Sequence, residues 1–182
     1  MVLQTPIRQA TFEEFKRYIA EPEHSDGLYE LIRGEIVEKM PGRTSNSQVS
    51  VRLASKVLVH CEAKSLPCFI SGEAGAYRIG NDVVAPDMAY KDTPMSDDYP
   101  DPIAPLWVVE IISPTDRASE IRKKREIYRE AGILLWEVYP ELQSVDVYAP
   151  GQASVSFHMG QELTGGEVLP GFTVAVSHIF AN

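Results

Sequence analysis

Cysteine is scarce. The 182 residues hold two, Cys61 and Cys68, and no CxxC pair. That excludes a disulfide framework and a thiolate zinc site, and it fits a reducing, cytoplasmic location. The four histidines, His24, His60, His158 and His178, are scattered. Each reads as a surface or packing residue rather than a metal ligand. No stretch approaches about 18 consecutive apolar residues, so no membrane span is expected. The N-terminus also lacks the apolar core of a signal peptide. Positive charge is in deficit, with 17 Lys+Arg against 26 Asp+Glu and a net charge of −9. Alone, that argues against a general nucleic-acid coat protein, because polyanion binding needs clustered positive charge.

What is present suits a globular chain. Hydrophobic residues at 44% and charged residues at 24% are ordinary values that can build a core. At this length a second independent core would be cramped, so residues 1–182 are expected to form one domain. No internal repeat or long linker divides them.

The hydrophobic period changes along the chain. Thr11 and Glu14 have capping-box spacing, and Phe12, Phe15 and Ile19 recur at helical steps, predicting a helix over 11–20. Residues 28–40 alternate on either side of Arg33-Gly34, the pattern of a β-hairpin. Val49, Leu53, Val57, Leu58 and Cys61 predict a long amphipathic helix over 45–63, capped by Ser45 or Asn46. Strands are expected over 68–78, 83–90 and 106–112, with a surface loop over 93–105. Residues 118–131 read as a helix stopped by Gly132. Ile121, Tyr128 and Ala131 mark its buried side. Strands follow over 133–139 and 144–148, another over 154–159, and a short closing segment after Pro170-Gly171. Helices and strands intermix without strict βαβ alternation. The expected class is α/β (α+β), a mixed central sheet flanked by helices.

Four places carry chemistry. Glu110 interrupts the nearly continuous apolar run over 106–112, where an unpaired carboxylate costs several kcal/mol, so a cation or a lysine is expected beside it. Asp87 sits in strand-like sequence after Pro86, although Asp is a poor strand former. Lys124 is three after Ile121 and four before Tyr128, so it points inward, whereas its neighbours in the run 122–125 read as solvated. Glu30 and Glu35 flank the hairpin turn. Hard divalent cations prefer oxygen ligands, and a nearby ammonium stabilises charge developing on a phosphoryl group. Asp, Glu and Lys from adjacent elements are thus the minimum kit for metal-assisted phosphodiester hydrolysis.

Four segments occur in a telling order: Tyr29-Glu-Leu-Ile-Arg-Gly-Glu-Ile-Val37, Val83-Val-Ala-Pro-Asp87, Leu106-Trp-Val-Val-Glu-Ile-Ile-Ser-Pro114 and Lys124-Arg-Glu-Ile-Tyr-Arg-Glu-Ala-Gly132. With Leu169-Pro-Gly-Phe172, the set resembles the Uma-two family over about residues 11–180. Those proteins are endonuclease-like, with the restriction-endonuclease-like PD-(D/E)XK fold. The resemblance implies a metal-dependent endonuclease that uses Mg²⁺ or Mn²⁺ on DNA. Asp87 and Glu110 would be its two motif acids and Lys124 its lysine, displaced from position 112, which is Ile here. Asp87, Glu110, Glu30 and Glu35 would be the metal candidates, and Glu120 matches a position where the family often has Asp. A homodimer is expected from the same likeness. The chain departs from the pattern at Asn46, at Leu134-Leu135 and at Tyr139. Those departures, with the acidic surface, motivate an alternative: an inactive nuclease-fold module that binds a protein or nucleic acid. The charge deficit itself is local. Residues 81–120 hold nine acids and two basic residues, and two of those acids, Asp87 and Glu110, are proposed metal ligands.

Overall fold

The computed structural model describes residues 9–180. The first helix, α1 (Phe12–Ile19), begins with the capping box: Glu14 N–H donates to Thr11 Oγ1, and Thr11 N–H donates to Glu14 Oε2. Its one fully buried residue is Phe15. The hairpin follows as β1 (Tyr29–Ile32) and β2 (Glu35–Glu38). Arg33 and Gly34 both adopt positive φ (51° and 81°), the geometry a two-residue hairpin turn demands. The long helix α2 (Thr44–Lys64) buries Val49, Leu53, Val57 and Cys61.

The remaining strands are β3 (Phe69–Gly72), β4 (Tyr77–Ile79), β5 (Asp82–Val84), β6 (Met88–Lys91), β7 (Trp107–Ile111), β8 (Leu134–Tyr139), β9 (Ser144–Tyr148), β10 (Val155–His158), β11 (Glu162–Thr164) and β12 (Thr173–Ala175). Helix α3 (Ala118–Glu130) crosses between β7 and β8, and α4 (Val176–Phe180) closes the described chain. The central sheet runs β10-β9-β8-β7-β6-β3, mixed because β7 and β8 pair in parallel. A second, antiparallel sheet runs β2-β1-β5-β4, and β11 pairs with β12. The architecture is therefore mixed α+β with a multi-stranded mixed sheet, as expected. Among the described residues no helix is long and apolar enough to cross a membrane.

The period of two in β7 decides what each face meets. Trp107, Val109 and Ile111 join the cluster that packs beneath α2. Val108 points the other way, toward Ile127 and Tyr128 of α3 and Ile32 of the hairpin. Glu110 shares the face of Val108. The third cluster, with Phe15, Leu31 and Val83, lies under α1.

Several sequence expectations need correction. Residues 68–78 form two strands in different sheets, because the chain reverses at Gly72–Gly75, where Gly75 N–H donates to Gly72 O. Residues 83–90 also split, into β5 and β6. Pro86 cannot donate to a ladder, so Asp87 lies in the connection between two strands rather than inside one. The N-cap of α2 is Arg43, with no side-chain cap. Arg43 O accepts from both Asn46 N–H and Ser47 N–H, which starts the helix ahead of Ser45. Leu58 and Ala131 are exposed, although helical spacing assigned both to buried faces. Strand β11 was not foreseen. The loop over 93–105 is not wholly surface: Asp101 is buried and pairs with buried Lys91 at 2.7 Å.

Candidate active site

Glu30, Asp87, Glu110 and Lys124 come from β1, the β5–β6 connection, β7 and α3, and all four line one cleft of about 550 Å³. The first part of α2 also lines it, with Asn46, Ser47 and Ser50.

Lys124 is the hub. Its ammonium lies 2.8 Å from Glu30 Oε1 and 3.2 Å from Glu110 Oε1. Burial works to lower its pKa, but the carboxylates of Glu110 and Glu30 outweigh that and hold it charged. Glu110 also accepts from the Tyr128 hydroxyl at 2.6 Å. Burial pushes its pKa up, to about 7; Lys124 pulls against that, and Asp87 adds to it. Burial likewise raises the Tyr128 phenol, as does Glu110 beside it.

Asp87 is held from two sides. Its Oδ2 accepts from Ile111 N–H, the amide following Glu110, at 2.7 Å. Its Oδ1 accepts from Lys39 at 3.0 Å. Ser50 of α2 donates to Asp87 O at 2.7 Å, which fixes the backbone as well. Glu30 Oε1 accepts from Ala85 N–H at 2.7 Å, so one acid steadies both Lys124 and the segment that presents Asp87.

Glu35 stands apart. Register pairs Glu30 with Val37, so Glu35, at the start of β2, and Lys39, one residue past its end, share the Glu30 face. Glu35 is at the turn end, where it meets Lys123 at 2.8 Å and is largely exposed. Glu120 lines the cleft and pairs with Arg117 at 3.4 Å. Arg125, expected to be solvated, turns inward. It grips buried Glu137 with two bonds of 2.7 and 2.8 Å and lies over the Tyr148 ring.

Sequence reasoning missed Lys39 and Glu137. Both show only once strand register is known. Lys39 is two residues beyond the partner of Glu30, and Glu137 sits directly across the parallel pair from Glu110.

The donor set suits a hard divalent cation: it is all oxygen, and Mg²⁺ takes only one or two protein carboxylates, completing its shell with water and phosphate oxygens. The oxygens of Glu30, Asp87 and Glu110 do not already converge into a three-carboxylate shell. Among the described residues, the one trio of acid and imidazole ligand atoms within 4.8 Å of one another is Glu21, Glu23 and His24. There the His24 Nδ1 faces Tyr18 O at 3.0 Å, and its ring stacks on Tyr18.

Comparison with known proteins gives the same picture of the fold. The family model Uma2, described as "Putative restriction endonuclease", matches residues 12–177. The crystal structure of a "putative nuclease belonging to DUF820" from Anabaena variabilis superposes with a TM-score of 0.79 at 21% sequence identity. The match covers 93% of this chain and 97% of that one. No curated protein matches.

Proposed function

The chain belongs to the Uma2 family, and from that premise we propose that it is a divalent-metal-dependent endonuclease that hydrolyses phosphodiester bonds of DNA. Family and fold support a nuclease in general. The finer reading rests on one observation: the Lys124 ammonium is held between two buried carboxylates on a cleft that Asp87 also lines.

The chain's own residues divide the work. Asp87 and Glu110 would hold Mg²⁺ or Mn²⁺. Glu30, rather than Glu35, is the hairpin acid of the centre, because its side chain faces the cleft. A bound divalent ion would supply polarisation of a phosphoryl oxygen and a water of lowered pKa. Lys124 stabilises the negative charge that develops on the phosphoryl oxygens, in a site where burial strengthens that interaction. Tyr128 fixes the orientation of Glu110, and Ile111 N–H fixes that of Asp87. Arg43 and Arg117 at the rim offer positive charge to neighbouring phosphates. Because the chain is acidic overall, DNA binding is expected to be weak, salt-sensitive and dependent on the metal.

The test is cleavage of supercoiled, linear duplex and single-stranded DNA with Mg²⁺ and with Mn²⁺. Cleavage that a chelator abolishes is expected. No cleavage of any form, or cleavage indifferent to the chelator, overturns the reading. The hairpin acids separate in the same assay. Glu30→Gln is expected to lower the rate on the order of 10²-fold, as for loss of a charge-positioning group. Glu35→Gln should stay near wild type. Equal losses would return Glu35 to the centre.

A further inference from the structure

Lys39 was absent from the sequence reading, yet it holds a defined place in the cleft. Its backbone N–H donates to Leu28 O at 2.8 Å, which carries the hairpin ladder one step past β2 and fixes where the side chain starts. The ammonium then lies 2.6 Å from Ala85 O and 3.0 Å from Asp87 Oδ1. A carbonyl oxygen and a carboxylate oxygen are the ligand types that a hard divalent cation takes. Lys39 thus fills a cation-like position with a covalently tethered charge.

The charged groups paired at the centre come from four elements. The hairpin brings Glu30 and Lys39, the β5–β6 connection Asp87, β7 Glu110 and α3 Lys124. Glu137 of β8 is already matched by Arg125. Three carboxylates thus meet two ammonium groups there, while Glu38, Glu73, Asp116 and Glu120 line the outer cleft with Arg43 and Arg117. Lys39 already supplies the cation partner that Ala85 O and Asp87 Oδ1 would otherwise offer to a second ion.

Resting on the nuclease reading above, we propose that the centre takes one divalent cation, and that Lys39 supplies, as an ammonium, the positive charge a second cation would bring. Lys39 is a positioning residue: it holds Asp87 by Oδ1 and leaves the single ion to the Glu110 side. Losing it frees Asp87 Oδ1 and Ala85 O and removes a charge that repels cations.

Calorimetric titration with Mn²⁺ tests this without any need for turnover. Wild type is expected to bind one ion per chain. Lys39→Met is expected to take a second ion, or to bind the first about tenfold more tightly, the scale on which partners of ligating groups alter affinity. Lys39→Arg, which keeps the charge, should titrate like wild type. Lys39→Gln carries the expectation of Lys39→Met if that variant fails to fold. Two ions in wild type overturns the proposal. So does a charge-free variant that titrates like wild type, or Lys39→Arg behaving like Lys39→Met. The nuclease reading fails separately: wild type would bind no Mn²⁺, or bind it no better than Asp87→Asn does.

Discussion

Asp87→Asn is expected to slow DNA cleavage by at least about 10²-fold while leaving the fold intact. Asn keeps the size of the side chain and one acceptor oxygen. Either the Ile111 amide or the Lys39 ammonium, which now hold the two carboxylate oxygens at 2.7 and 3.0 Å, can still be met. What is lost is the negative charge that attracts the cation. A metal contributes several kcal/mol of transition-state stabilisation, and each 1.36 kcal/mol is tenfold in rate. The check is a cleavage time course beside a thermal melt. Cleavage at the wild-type rate would remove Asp87 from the centre.

Lys124→Met is expected to cost both activity and stability, and its stability cost should depend on pH. Lys124 is the cation between Glu30 and Glu110, at 2.8 and 3.2 Å. Removing one partner of a buried ion pair costs about 3–5 kcal/mol, because the charge left behind is uncompensated. Here Glu110 can relieve the strain by taking a proton. Burial already places its pKa at about 7, above its ordinary value, and loss of Lys124 raises it further. A carboxyl with a raised folded-state pKa binds more protons folded than unfolded. Stability from that group is therefore present at low pH and is lost as pH rises through the folded pKa. The variant should lose more stability relative to wild type at pH 8 than at pH 5. Urea unfolding at the two values decides it, and an equal loss at both would contradict the ion-pair account. Cleavage at pH 7 should fall on the order of 10²-fold or more, as for removal of a group that stabilises transition-state charge.

The fold was largely legible because its signals are local. Thr11 and Glu14 mark the start of α1, Arg33-Gly34 marks the hairpin turn, and Gly132, at φ 67°, marks the stop after α3. The splits at Gly72–Gly75 and at Pro86 were not legible. Alternation continues on both sides of each break, and only long-range pairing shows that the strands enter different sheets. The arrangement around Glu110 was partly legible. A carboxylate in an apolar strand demands a partner, and helical spacing turned Lys124 inward. Lys39 and the Arg125–Glu137 pair escaped because they depend on register between strands and on the docking of α3 against β8. A run of four basic residues looks alike from sequence whether each meets water or a buried acid.

The most direct measurement is anomalous diffraction from crystals soaked with Mn²⁺. The account predicts one Mn²⁺ peak between the Asp87 and Glu110 carboxylates, on the side away from Lys39, and none in Asp87→Asn. A peak only at Glu21, Glu23 and His24, or no peak within reach of Asp87 and Glu110, would contradict it.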